Sequence, residues 1–170
     1  MAVSIEVLPD PTRWVVAHAR PRCEKKLAAA AGRMGCVVYL PVQTKVHRYA
    51  RRERRFETPL FSGYLFCQGD AAQRQWVRQN QYCANLLEVV DQAGLVAQLR
   101  HLQQALDSGL QLEVMPYLES GRRVRVTSGP LRGFEGLVVR VQGRTRVLLN
   151  IDMIRQSAAV EMDSALLAPL

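Results

Sequence analysis

The sequence predicts an α+β chain in two parts: an α/β sandwich built on an antiparallel sheet, then a small C-terminal β-barrel. Three observations carry that expectation. Apolar residues recur at helical spacing in two places, at Leu27, Ala31 and Met34 and at Leu95, Leu99, Leu102 and Leu106. β-branched and aromatic runs bounded by Gly and Pro lie between them. After Gly121 the apolar period drops to two, with Val124 and Val126 alternating with Arg123 and Arg125, and several short strand patterns crowd into the last ~50 residues.

The elements follow in order. Trp14 to Ala19 reads as a short buried strand, broken by Pro21. Glu24 to Gly35 is an amphipathic helix with Gly35 as its C-cap. Val37 to Val46 is β-branched and apolar, and Pro41 inside it suggests an edge or a bulge. His47 to Glu57 has no buried face and reads as a loop or exposed hairpin tip. Phe56 to Gln68 turns at Ser62-Gly63 and continues as a strand. Asp70 is placed to cap a short helix ending near Asn80. Leu86 to Val90 is a strand, followed by the helix of Leu95 to Leu106. The order β-α-β-β-α-β-α gives a sandwich with an antiparallel sheet. Ser108-Gly109, Pro116 and Gly121 mark a linker, partly ordered if Leu110, Leu112, Val114 and Leu118 find cover. Beyond it, Ser128-Gly129-Pro130 and Gln142-Gly143 are turns around the strands Leu137 to Val141 and Val147 to Ile151. Weaker strands lie near Ala158 to Met162 and Ala165 to Leu167. The expected domains are therefore 1–107 and 119–170, joined by a linker over 108–118.

At 170 residues and 48% hydrophobic, the chain can bury one medium core or two small ones. No stretch approaches the ~20 apolar residues of a membrane span, and Met1 to Asp10 lacks a basic segment followed by an apolar block. The expectation is a cytoplasmic monomer with no membrane partner. Cys23, Cys36, Cys67 and Cys83 form no C-x-x-C pair, so zinc spacing is absent and small buried thiols are the simpler reading. No G-x-S-x-G, P-loop or H-E-x-x-H occurs, and His18, His47 and His101 fall in three different predicted elements. A pair such as Cys23 with His18 could be assembled in space, but nothing singles it out. The expectation is a non-enzyme that uses no cofactor and no metal.

The net charge is +8, and half of it lies between Lys45 and Glu57, where Lys45, Arg48, Arg51, Arg52, Arg54 and Arg55 face only Glu53 and Glu57. Bunched arginines without aromatic interleaving suit phosphate contact through Coulomb attraction and counterion release; the other reading is a solvated loop. Phe61, Tyr64 and Phe66 lie within six positions. They are strand core or, if one face of the sheet is left uncovered, a docking surface. Period two puts Tyr64 and Phe66 on one face and Leu65 on the other.

The run Gly121-Arg122-Arg123-Val124-Arg125-Val126-Thr127-Ser128-Gly129-Pro130-Leu131-Arg132-Gly133-Phe134-Glu135-Gly136 closely resembles the KOW motif of ribosomal and NusG-type proteins. Trp14-Val15-Val16, Arg20-Pro21-Arg22-Cys23-Glu24-Lys25-Lys26, Tyr39-Leu40-Pro41 and Pro59-Leu60-Phe61-Ser62-Gly63-Tyr64-Leu65-Phe66 resemble the NusG N-terminal (NGN) domain. Their form is similar to the specialised paralogues, RfaH and the UpxY-type antiterminators, and the two motifs together span nearly the whole chain. The resemblance implies a specialised elongation and antitermination factor that binds the clamp helices of the RNA polymerase largest subunit and bridges to the opposite jaw. It implies clamp contacts from Trp14, His18, Phe61, Tyr64 and Phe66, although an aromatic is more usual at position 18. It implies a jaw contact near Gln73, Arg74 and Gln75, where the family's His-Thr-Thr run is missing. Non-template DNA of the transcription bubble would meet Arg20 and Lys26, with Arg22, Arg48, Arg51, Arg52, Arg54 and Arg55 beside them. The KOW domain would recruit a small-subunit ribosomal protein or Rho. In RfaH that domain can refold as a helical hairpin; here the strand alternation, and Thr58 where the tethering Glu would fall, argue for a barrel. The alternatives are a housekeeping NusG factor and a KOW-type ribosomal or RNA-binding protein, and the NGN-like first domain argues against the second.

Overall fold

The computed structural model describes residues 3–170. The chain forms two compact units, 1–92 and 93–170. The first contains β1 (Arg13–Ala19), α1 (Glu24–Arg33), β2 (Val37–Tyr39), β3 (Val42–Tyr49), β4 (Arg52–Pro59), β5 (Tyr64–Gly69), α2 (Ala71–Gln79) and β6 (Cys83–Glu88). Four strands make an antiparallel sheet in the order β2-β5-β1-β6. Val15, Ala17, Leu65, Cys67 and Leu86 of one face pack with Leu27 and Ala31 of α1 and Val77 of α2.

Local chemistry sets the helix ends. Gly35 sits at φ +85°. The Cys36 N–H donates to the Ala31 carbonyl at 3.1 Å and the Gly35 N–H to the Gly32 carbonyl at 3.0 Å, the Schellman closure that a glycine in this position favours. At α2 the Gln73 N–H donates to Asp70 Oδ1 and the Asp70 N–H to Gln73 Oε1, each at 2.8 Å, a reciprocal capping box.

The second unit begins within α3 (Gln92–Asp107) and continues as β7 (Leu112–Pro116), β8 (Arg122–Val126), β9 (Glu135–Val141), β10 (Arg144–Ile151), β11 (Gln156–Glu161) and β12 (Leu167–Pro169). These strands form an antiparallel sheet in the order β12-β8-β9-β10-β11-β7, which fits the small barrel expected. Val126, Leu131, Val147 and Ile151 are among its fully buried side chains. Gln142 and Gly143 take φ values of 51° and 77° in the two-residue turn between β9 and β10, as a type I′ hairpin requires.

Two segments differ from the sequence expectation. The single strand expected over Val37 to Val46 is two strands, interrupted at Leu40-Pro41, where the Pro41 carbonyl accepts the Leu60 N–H at 2.8 Å. Of the two readings of the basic segment, loop or exposed hairpin, the hairpin is the one found: β3 and β4 pair from Val42↔Pro59 to Tyr49↔Arg52 as a separate two-stranded sheet. Its outer part covers no core, so it carries no apolar alternation to announce it. Within the expected linker, residues 112–116 form β7 and pair with β11 from Leu112↔Val160 to Pro116↔Gln156. Pairing satisfies the backbone of β11's outer edge, and Leu112 becomes buried there.

Gly136 marks the tightest approach in this sheet. A Cβ there would lie 2.6 Å from the Leu148 carbonyl oxygen and 2.9 Å from Val147 Cγ1. Gly136→Ala should cost about 1–3 kcal/mol through forced backbone displacement. Gly32→Ala, in open space on α1, should stabilise by about 0.5 kcal/mol. Urea unfolding of the two variants checks the contrast; an unchanged midpoint for Gly136→Ala would contradict the close approach.

Candidate functional site

The face of the sheet turned away from α1 and α2 carries three cross-strand pairs: Trp14 opposite Gln68, Val16 opposite Phe66 and His18 opposite Tyr64. Trp14, Val16 and Phe66 have no exposed surface, Tyr64 is half-buried and His18 is exposed. The His18 and Tyr64 rings stack with centroids 4.8 Å apart and planes 14° from parallel. Glu24, a buried carboxylate in the first turn of α1, accepts the Gly63 N–H at 2.8 Å, and the Gly63 carbonyl accepts the Ala19 N–H at 2.8 Å. These bonds hold the Ser62-Gly63 turn against the imidazole, which a Cβ at Gly63 would meet at 3.4 Å.

Of the five residues expected to dock on a partner, His18 and Tyr64 therefore reach the surface. The other three, Trp14, Phe61 and Phe66, are fully buried as the chain is folded here. Trp14 Nε1–H donates to the Glu6 carbonyl at 2.9 Å. Gln92 clasps the Trp14 backbone, accepting its N–H at 2.7 Å and donating to its carbonyl at 2.9 Å. Large rings gain most from full burial, and a period-two pattern alone does not say where along a face burial stops.

Two of the three jaw candidates are engaged in local structure. Besides its capping box, Gln73 donates through Nε2 to the Met34 carbonyl at 3.0 Å. Arg74 Nη1 donates to the Pro11 and Gly69 carbonyls at 2.6 and 2.8 Å. Gln75 is exposed. An outside partner would have to compete with bonds that hold α2 in place.

The basic residues fall into two groups. Arg20 and Arg22 are exposed on the turn between β1 and α1, and the Lys26 ammonium lies 5.7 Å from the Tyr82 ring centroid. Arg22 and Lys25 share a cleft with Glu57, Thr58 and Pro59 at the root of the hairpin, and Lys25 Nζ donates to the Glu57 carbonyl at 2.6 Å. Strand pairing sorts the second group onto two faces. Arg48, Glu53, Arg55 and Glu57 share one face, where Glu53 lies 3.9 Å from Arg48 and 3.6 Å from Arg55. Lys45, Arg52 and Arg54 share the other with His47, Tyr49 and Phe56, and no carboxylate stands there. In sequence Tyr49 separates Arg48 from Arg51 and Phe56 follows Arg55, so, contrary to expectation, the arginines are not free of aromatics; cross-strand pairing sets these rings beside the cations. The available signal is the alternation Lys45-His47-Tyr49 and Arg52-Arg54-Phe56.

The thiols offer little chemistry. Burial pushes the Cys36, Cys67 and Cys83 thiols up, which keeps them neutral. Cys23 precedes α1 as its N-cap residue, and no hydrogen bond joins it to His18 among the described residues. Among the described residues no group of three or more His, Cys, Asp and Glu side chains could hold a metal ion, and no helix is long and apolar enough to cross a membrane.

Fold and surface define a class: a two-unit chain in which an α/β sandwich bears a stacked aromatic pair and a cationic hairpin, followed by a small β-barrel. Comparison with protein families finds that residues 12–101 match the family described as transcription termination factor NusG and residues 120–150 match the KOW motif. The chain belongs to the NusG family of transcription elongation and termination factors, whose domains interact with RNA polymerase. Comparison with curated proteins finds no match.

Burial separates the two candidate rings. Phe66→Ala should destabilise by about 3–5 kcal/mol, whereas Tyr64→Ala, losing a partly exposed stacking partner, should cost about 1 kcal/mol. Urea unfolding distinguishes them; equal losses would make Tyr64 as interior as Phe66.

Proposed function

We propose that the chain is a specialised elongation and antitermination factor that docks on the RNA polymerase clamp through His18 and Tyr64 and lays its basic hairpin on the non-template strand of the bubble. The observation that carries this reading is the placement of both surfaces on one unit. The stacked pair is braced by Glu24 of α1 through Gly63, and the hairpin root is tied to the same helix by Lys25 and Glu57. Docking at one would therefore fix the position of the other. The R-P-R-x-E-K-K and P-L-F-x-G-Y-L-F forms support a specialised paralogue.

Mechanistically, a factor that binds the closed clamp better than the open one shifts the polymerase toward the closed state by the ratio of the two affinities. Closed polymerase pauses less, so pausing and termination are suppressed without any chemical step by the factor. Contacts to phosphates add affinity without sequence choice. The domain division expected from the sequence belongs to this proposal, with residues 119–170 acting as a separate KOW module that binds a small-subunit ribosomal protein or Rho. The β ladder of the second unit and Thr58 at the tether position support a module that stays a barrel.

Two variants test the two surfaces. His18→Ala with Tyr64→Ala should weaken binding to polymerase lacking nucleic acid by about 2 kcal/mol or more, with far-ultraviolet dichroism unchanged. Arg51→Ala with Arg52→Ala and Arg54→Ala should leave that binding within about twofold. The same triple variant should reduce the salt slope of bubble binding by about 0.7–0.9 for each phosphate it no longer neutralises. Parallel salt lines for wild type and the triple variant would reduce the hairpin to a solvated arm.

A further inference from the structure

The two faces of the β3–β4 hairpin differ in a way that phosphate contact does not require. On one, Arg48 and Arg55 are matched by Glu53 and Glu57, so the face carries no net charge. On the other, Lys45, Arg52 and Arg54 meet no carboxylate. That face also holds three rings: Tyr49 is 61% exposed, Phe56 is 41% exposed, and His47 lies edge-on to Phe56 with centroids 5.6 Å apart. An open cleft at the tip is lined by Tyr49, Arg52 and Arg54 with the turn residues Ala50 and Arg51. Leaving large rings in water forgoes their burial energy, and none of these three packs into the core of the first unit.

We propose that this face is a platform for unpaired nucleobases, on which Tyr49, Phe56 and His47 stack bases while Lys45, Arg52 and Arg54 meet the flanking phosphates. The inference rests on the reading of the hairpin as a contact to the unpaired strand and adds how that strand is held: by its bases, stacked on three named rings, as well as by its phosphates. Cations interleaved with rings are what single-strand recognition uses, because every unpaired base offers a π-face and every linkage a charge. A duplex keeps its bases stacked on one another and offers the rings nothing, and it is read instead by polar side chains at base edges. The ladder is eight paired positions long, a platform of about 25 Å at ~3.3 Å per residue. The opposite face, on which two arginines are balanced by two glutamates, is the built-in comparison.

The test compares a 30-nucleotide oligodeoxythymidine with an abasic strand of the same length, which keeps every phosphate and lacks every base. The wild-type chain should bind the thymidine strand about tenfold or more tightly. Tyr49→Ala with Phe56→Ala should bring that ratio close to one while leaving affinity for the abasic strand and its salt slope unchanged. Tyr49→Leu with Phe56→Leu, which keeps apolar bulk and strand character, should do the same. Arg52→Ala with Arg54→Ala should keep the ratio and lower the salt slope for both ligands by about 1.4, two phosphates at ~0.7 each on a single strand. Val46→Ala on the ion-paired face should change neither. An oligouridine arm tests the strand: tighter binding of the DNA is expected, and tighter binding of the RNA would point to the transcript and overturn the non-template reading on which the proposal rests. Equal wild-type affinity for thymidine and abasic strands, or for single strand and duplex, overturns the stacking proposal even if the salt slopes behave. An unchanged slope in Arg52→Ala with Arg54→Ala overturns the underlying phosphate reading instead. If the ring variants weaken binding to polymerase without nucleic acid, the rings belong to a protein contact and the proposal fails.

Discussion

Strand β1 is hydrogen-bonded along both edges, to β5 and to β6, and the organisation of the first unit depends on it. A strand fixed on both sides cannot slip by one residue without sending every side chain to the opposite face. Val15, Ala17 and Ala19 are thus committed to the helices, and Trp14, Val16 and His18 to the other side. The same register brings His18 beside Tyr64. The surface pair is a by-product of core register.

The hairpin obeys a different physics. An isolated two-stranded ribbon is marginal in water, and surface ion pairs such as Arg48–Glu53–Arg55 contribute little. What anchors it is its root: the Thr58 hydroxyl donates to the Gln43 carbonyl at 3.3 Å, Leu60 N–H to the Pro41 carbonyl, and Lys25 to the Glu57 carbonyl. Firm at the base and supported mainly by backbone pairing toward the tip, it belongs to the low-stability end of the molecule, where ligand-binding elements are commonly found.

The second unit solves the problem of a small core by close approach. At Gly136 a Cβ would lie 2.6 Å from the Leu148 carbonyl oxygen of β10, so the approach leaves room for no side chain there. The fully buried Ser157 hydroxyl donates to Asn150 Oδ1 at 2.5 Å, while Asn150 Nδ2 donates to the Leu118 carbonyl at 3.0 Å. That chain of polar contacts satisfies a buried hydroxyl and ties the Leu118 backbone, on the approach to β8, onto β10 and β11.

The sequence by itself determined what local chemistry and strict periodicity can encode: the order of helices and core strands, the Gly35 and Asp70 caps, the Gln142-Gly143 turn, the alternation that sets Leu65 against Tyr64 and Phe66, and the KOW and NGN motifs that mark the family. These are properties of residues a few positions apart, and backbone dihedrals with hydrogen-bond reach suffice to fix them. Tertiary structure decided the rest. Whether an aromatic on the face of the sheet turned away from α1 and α2 is sealed, as Trp14 and Phe66 are, or left at the rim, as His18 and Tyr64 are, depends on what covers each part of that face. Whether residues 112–116 are linker or strand depended on the unpaired edge of β11. The sorting of the hairpin's charges combined alternations that the two strands carry separately: Lys45 met Phe56 and Tyr49 met Arg52 only once the ladder fixed the register between them, which neither strand's own pattern specifies.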